Sequence, residues 1–122
     1  MNIQRLTPEF YICKLSSLNN IDFSGDFVFL SKTDDEISFV CETKHVPDTA
    51  FTAAHGFSAF RICGHLDFNV IGVIAKISRI LAEGRISVFV ISTFNTDYIL
   101  IKSAELDQAA ALLQEAGHHI VE

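Results

Sequence analysis

What the chain most clearly lacks is a long uninterrupted apolar run. Its longest apolar stretches are broken by Lys76, Arg79 or Asp97, and none approaches the ~20 residues that a helix needs to cross a bilayer. The first ten residues carry Gln4, Arg5 and Glu9 where a secretory signal requires an unbroken hydrophobic region. No membrane partner is expected, and the expected location is cytoplasmic. Positive charge is also scarce. Nine Lys and Arg stand against fifteen Asp and Glu, for a formal charge of −6, and the basic residues are scattered from Arg5 to Lys102, never adjacent. A nucleic-acid surface needs concentrated positive charge, so nucleic acid is excluded as a partner.

Cysteine is present only as Cys13, Cys41 and Cys63. The odd number and the absence of a Cys-x-x-Cys spacing indicate neither a disulfide framework nor a zinc site. Each stands in an apolar, strand-like run (Tyr-Ile-Cys, Phe-Val-Cys, Arg-Ile-Cys), so all three are expected to be buried, unreactive thiols that pack as small hydrophobes.

Catalytic patterns are missing too. His45, His55, His65, His118 and His119 form no H-x-x-x-H or H-x-E arrangement of the kind a metal site would use. Ser87, Ser92 and Thr93 are not surrounded by a G-x-S-x-G elbow. The Asp34-Asp35-Glu36 run lacks EF-hand spacing and reads as a solvated turn. There is no P-loop or dinucleotide fingerprint. The expectation is a chain that is not an enzyme, with no cofactor and no metal.

What is there is material for a core. With 122 residues, 49% of them hydrophobic and eleven of them Phe, the chain has room for one ordinary domain or two small ones sharing a core. From Gly56 onward the periodicity gives strand, helix, strand, strand, helix, strand. Phe57 to Cys63 is the first strand. Val70, Val73, Ile74, Ile77, Ile80 and Leu81 recur at i, i+3, i+4, i+7 spacing, with Lys76, Arg79 and Glu83 opposite, which makes an amphipathic helix. Asn69 is the expected N-cap and Gly84 the expected C′ residue. Ile86 to Thr93 and Tyr98 to Lys102 are rich in β-branched residues and should pair as a hairpin around Phe94-Asn95-Thr96-Asp97. Ser103 can cap a second helix with Leu106, Ala109, Ala110 and Leu113 as its apolar stripe; Gly117 ends it, before a short strand His118 to Val121. This is the α+β, ferredoxin-like βαββαβ order, with both helices on one face of an antiparallel sheet.

The first half reads mostly as strands: Phe10 to Leu15, Phe27 to Leu30 and Ile37 to Glu42. Ser16 to Asp26 is a polar loop where a first helix would belong, and Pro47 to Ala54 reads as a short helix. The expected organisation is therefore a degenerate half over residues 1–55 and a complete unit over 56–122. In Ile86 to Thr93 both parities are apolar, Ile86, Val88 and Val90 on one side and Phe89 and Ile91 on the other. A sheet with one wet face should alternate, so the first half or a second subunit is expected to cover it.

Two polar spots interrupt the apolar pattern. The His65-Leu66-Asp67-Phe68-Asn69 loop runs into a helix N-terminus with Gly72 in its first turn; free amides and the helix dipole suit an anion there, and ordinary capping by Asn69 suits the same residues. The second, Ser92-Thr93-Phe94-Asn95-Thr96-Asp97, clusters hydroxyls, an amide and a carboxylate at a hairpin tip, and a plain polar turn accounts for the spacing equally well.

The segment Gly84-Arg85-Ile86-Ser87-Val88-Phe89-Val90-Ile91-Ser92-Thr93-Phe94-Asn95-Thr96-Asp97-Tyr98-Ile99-Leu100-Ile101 closely resembles a signature of ACT-domain proteins, Gly-Ile-Ser, Ser-Thr-aromatic, Thr-Asp-aromatic and a Leu. The group includes small bacterial proteins and the eukaryotic arginine sensors of the CASTOR type. Asp34-Asp35-Glu36-Ile37-Ser38 and Leu66-Asp67-Phe68 match as well. The resemblance implies two tandem ACT-like units, the first without its long first helix, and a non-enzymatic regulatory module. It implies an amino-acid ligand at an interface between ACT units and a homodimer. Carried over by position, the ligand contacts would be Asp67, Phe68, Asn69, Val70, Gly72, Thr93, Phe94, Asn95 and Asp97. The arginine sensors have an acidic residue at the position of Val70, so arginine itself is not carried over. A structural homodimerisation module without a ligand is the alternative. An RNA-binding plait shares the element order but needs exposed aromatics amid basic residues, which Phe57, Phe60, Phe89 and Phe94 lack.

Overall fold

A computed structural model of the chain describes residues 1–64 and 72–122. It divides into two compact units, Pro8–Phe57 and Met1–Thr7 together with Ser58–Glu122. The first seven residues thus belong with the C-terminal unit, not with the half expected over residues 1–55.

The C-terminal unit contains β1 (Asn2–Arg5), the second part of β5 (Ala50–Ile62), α1 (Val73–Glu83), β6 (Phe89–Ser92), β7 (Asp97–Lys102), α2 (Leu106–Glu115) and β8 (His119–Val121). From β5 onward the order is the expected βαββαβ. The strand order adds something the periodicity did not: β8-β1-β5-β7-β6, with β1 inserted between the first and last strands of the plait. Strand β1 runs antiparallel to β5, with Ile3 opposite Ile62, and parallel to β8, with Ile3 opposite Ile120. Flanking bonds extend the ladder: Cys63 N donates to Asn2 O, Leu6 N to Ala59 O and His119 N to Met1 O, each at 2.9 Å.

The core of this unit joins sheet and helices. Ile3, Phe60, Ile62, Ile99 and Ile101 meet Ile77 and Leu81 of α1 and Ala109, Ala110 and Leu113 of α2. Each large apolar side chain so buried stabilises the fold by about 1.5–3 kcal/mol relative to exposure, which is why the spaced apolar residues of both helices turn inward. Helix α1 starts on Gly72, whose φ is +83°, with no side-chain cap, and not on Asn69. Gly84 is its last, right-handed residue, and the left-handed C′ position falls to Arg85 at φ +61°. A Cβ on Gly84 would stand 2.4 Å from Leu112 Cδ1, so close packing against α2 explains the glycine. Because Ile86 N donates to Leu81 O to close the helix, it cannot join a ladder, and the strand expected over Ile86 to Thr93 shrinks to Phe89–Ser92.

Helix α2 is preceded by a 3-10 turn, Ser103–Glu105, and carries no side-chain cap. Ser103 lies 2.8 Å from the hydroxyl of Ser58 instead. Gly117, at φ +96°, stops the helix as expected: Gly117 N donates to Gln114 O and His118 N to Leu113 O, each at 3.0 Å.

The N-terminal unit is an antiparallel sheet in the order β3-β4-β2-β5, from β2 (Phe10–Leu15), β3 (Val28–Lys32), β4 (Ile37–Glu42) and the first part of β5. Its core is Cys13, Leu15, Phe39 and Cys41, flanked by Tyr11, Val28, Ile37 and Val46. The helix expected over Pro47 to Ala54 is absent. Ala50 already begins β5, and Thr52, Ala53 and Ala54 pair with Lys14, Cys13 and Ile12. Eight residues are too few for a self-sustaining helix, whereas Phe51 and Thr52 favour a strand and β2 offers an edge.

The thiols divide. Cys13 and Cys41 are buried, and burial pushes both pKa values up, that of Cys41 to about 12. Cys63 is only half-buried, contrary to the expectation for all three.

Candidate functional site

The polar hairpin tip is built from its hydroxyls. Thr93 N donates to Thr96 O at 2.9 Å, and Thr93 Oγ1 donates to the same carbonyl at 3.0 Å, which closes the turn between β6 and β7. Thr96 is 5% exposed, and its hydroxyl donates to Ile62 O at 2.7 Å. That bond ties the tip to the end of β5, from which the chain leaves towards α1. A buried donor left without its partner costs roughly 1–3 kcal/mol, so Thr96 fixes the tip as well as filling it. The sequence reading counted Thr96 among the turn residues but gave it no role.

On this frame, the expected site residues fall into three groups. Thr93, Phe94, Asn95 and Asp97 come together on the hairpin tip, with Phe94 81% exposed and Asp97 paired with Ser92 at the start of β7. Gly72 stands at the start of α1, where an added Cβ would meet nothing within 4 Å among the described residues. Asp67, Phe68, Asn69 and Val70 lie outside the described residues.

Beside the tip is a pocket of 330 Å³, lined by Gln4, Arg61, Cys63, Asn95, Thr96 and Tyr98 among others. Four of these side chains were not singled out from sequence: Gln4, Arg61, Thr96 and Tyr98. Arg61 had one visible signal, a lone cation inside an apolar strand run. Gln4 had none, since β1 was not foreseen. Arg61 Nη2 donates to Gln4 Oε1 at 2.7 Å, and the guanidinium carbon lies 6.0 Å from the centroid of the Tyr98 ring. A second, open hollow of 640 Å³ runs along α1, with Ser78, Arg79, Arg85 and Ser87 among apolar Ala75, Ala82, Ile86 and Val88. Among the described residues no group of three or more His, Cys, Asp or Glu is placed to hold a metal, and no helix is long and apolar enough to cross a membrane.

A family model for the ACT domain matches residues 52–115. The chain belongs to the ACT-domain family. The matched span runs from within β5 to the end of α2, so it takes in the hairpin tip and both helices of the ACT plait. A protein of Agobacterium tumefaciens of known crystal structure is similar to this ACT protein over 98% of this chain and 91% of its own, with 32% identity and a TM-score of 0.86. A Vibrio cholerae protein of unknown function, described as a possible transport protein, covers 91% of this chain and 85% of its own at 19% identity and a TM-score of 0.77. The regulatory subunit of aspartate kinase from Thermus thermophilus, in ligand-free form, covers 94% and 96% at 9% identity and 0.66. The last two likenesses carry the fold alone. A search of curated proteins gives no match.

Proposed function

We propose that this ACT protein is a non-enzymatic regulatory module that binds a free amino acid or a related zwitterion at an interface between ACT units and acts as a homodimer, with the N-terminal unit, Pro8–Phe57, contributing a degenerate ACT-like half. The observation that carries the reading is the hairpin tip, where Phe94 and Asn95 are exposed on a turn pinned through the buried Thr96 hydroxyl. A zwitterion needs an anion site and a cation site a few ångströms apart. The start of α1 offers amide donors for a carboxylate, and Asp97 or Asp67 offers an acceptor for the ammonium; Asp67, Phe68, Asn69 and Val70 enter on the sequence alone. The fold likeness to an aspartate kinase regulatory subunit fits a regulatory role.

The test is a thermal-shift and calorimetric screen of the twenty amino acids. A ligand that binds only the folded state raises stability by RT ln(1 + [L]/Kd), about 2.7 kcal/mol at a hundredfold excess over Kd. With a hit in hand, Asp97→Ala should weaken binding about ten- to a hundredfold with the fold intact, the usual cost of losing a charge-assisted hydrogen bond. A second reading, a dimerisation module without a ligand, is favoured by the exposed Phe89 and Val90 of β6. It predicts a dimer and no shift with any amino acid.

A further inference from the structure

Helix α1 ends in a way that opens a hollow beside it. Ile86 N donates to Leu81 O, so the chain turns back at Arg85, and residues 86–88 run past the helix without joining the β6–β7 ladder. On the helix, Ala75, Arg79 and Ala82 recur at i, i+4, i+7 and share one face; the two alanines are too small to fill the gap. The result is the hollow of 640 Å³ between this face of α1 and residues 85–88.

Its charge is one-sided. Arg79 and Arg85 line it, and none of the described residues that line it is acidic. Of the four arginines in the chain, Arg5 bonds to Asp107 and Arg61 to Gln4. The guanidiniums of Arg79 and Arg85 have no hydrogen-bond or ion-pair partner among the described residues. Even Glu83, four residues along the same helix and so within reach, forms no ion pair with Arg79. Arg85 also takes φ +61°, a conformation that glycine adopts freely and an L residue only with strain. The helix dipole favours a cation at this end, yet a basic residue in the last turn of α1 would gain that without strain, and the last turn has none. A charged side chain kept at a strained position beside a hollow calls for a role for the charge.

We propose that this hollow binds the phosphate group of a small organic phosphate monoester, with Arg79 and Arg85 as its anchors. Two guanidiniums balance a group that carries about −1.5 to −2 charge at pH 7, and their planar sets of donors suit phosphate oxygens. The exposed Ser87 adds a hydroxyl on the same wall, whereas the Ser78 hydroxyl donates to Ala75 O at 3.3 Å. Ala75, Ala82, Ile86 and Val88 offer the organic part an apolar surface, and the volume lies within the ~300–1,000 Å³ range of ligand pockets. The site shares no residue with the amino-acid site proposed at the hairpin tip and the start of α1, so either can fail without the other.

Calorimetric titration of the full chain with phenyl phosphate, at a pH above the second phosphate pKa of about 6, tests the proposal. Phenyl sulfate has nearly the same shape with one charge, succinate carries two charges on separate carboxylates, and inorganic phosphate lacks the organic part. The expected result is saturable binding of phenyl phosphate, tighter than that of any of the three. Arg79→Gln and Arg85→Gly should each weaken it at least about tenfold, the loss expected of a charge-assisted hydrogen bond. Lys32→Gln, at an exposed cation of the N-terminal unit, should leave it unchanged. Because Arg85→Gly relieves backbone strain, weaker binding by that variant is not a loss of fold. The site is refuted if the parent shows no saturable binding, if either arginine variant binds as the parent does, or if Lys32→Gln weakens binding equally, which would make the effect one of net charge. Phenyl sulfate or inorganic phosphate binding as tightly as phenyl phosphate, or succinate binding more tightly, overturns the phosphate monoester assignment.

Discussion

Arg85 occupies a backbone conformation, φ +61°, that L residues avoid. Two hydrogen bonds hold it there: Arg85 N donates to Ala82 O and Ile86 N to Leu81 O, both at 2.9 Å. This is the Schellman pattern, completed by the contact of buried Ile86 with Leu81 in the core. The same pattern closes α2, where glycine fills the strained place. An L residue in the left-handed region costs roughly 1–2 kcal/mol, partly offset by the larger unfolded-state entropy of glycine. Arg85→Gly is therefore expected to stabilise the chain by about 0.5–1 kcal/mol, seen as a higher urea midpoint with an unchanged m-value. His118 offers a second residue-level outcome. Its Nδ1 is buried with no hydrogen-bond partner among the described residues, and burial first, then the N-terminal ammonium and Lys76, hold its pKa below the ordinary 6.5. As the pH falls below about 6.5 the unfolded chain takes up this proton before the folded one does. Stability should therefore decline from there until the folded-state pKa is passed. His118→Gln should flatten that part of the profile of urea midpoint against pH; an unchanged slope would place its origin elsewhere.

Among the elements, β1 is the one that sequence reasoning could not see. Asn2-Ile3-Gln4-Arg5 offers a single apolar residue in four, too little for a periodicity, and its place depends on partners at the far end of the chain. Helix α1 was legible because Val73, Ile74, Ile77, Ile80 and Leu81 recur at helical spacing, and α2 because Gly117 ends a clear stripe. The errors lay where a specific hydrogen bond overrode a local tendency: Ser103 turned to Ser58 and Ala50 joined the β2 edge through tertiary contacts, and Ile86 closed α1 through its C-terminal cap. The candidate site follows the same division. Its hairpin stood out as hydroxyls breaking an apolar run, whereas the Gln4–Arg61 pair exists only because β1 enters the sheet. Ile3 shows what that insertion contributes. It is fully buried between Ile62 and Ile120, so Ile3→Ala should cost about 2–5 kcal/mol by lost transfer and a residual cavity. Denaturant unfolding measures it, and a loss below ~1 kcal/mol would mean that β1 is a loosely attached edge.

For the whole molecule, the open question of assembly turns on β6. In the C-terminal unit it pairs with β7 alone among the described strands, so its outer edge carries a row of unpaired backbone N–H and C=O groups, which natural sheets usually blunt or cover. This edge is not blunted by charge: Phe89 and Val90 are 36% and 37% exposed, and no Lys, Arg, Asp or Glu stands within Phe89–Ser92. The hollow along α1 opens beside it through Ile86 and Val88. The partner such an edge suits best is its own copy, since two β6 strands related by a twofold axis run antiparallel and each residue contacts its symmetry mate, a closed arrangement that does not propagate. The proposed homodimer should therefore scatter light at twice 13.5 kDa at micromolar concentration. Val90→Lys puts two ammonium groups near the axis; because Val90 lies opposite Ile99 and beside Ile74 and Ile77 of α1, the variant should lose some stability, and while still folded by circular dichroism it should return the chain to 13.5 kDa. If the amino-acid site lies at that interface, the variant should also lose the thermal shift of the parent. A parent that already scatters as a monomer, or a Val90→Lys variant that stays dimeric, would move the interface away from β6 and leave the apolar edge without its explanation.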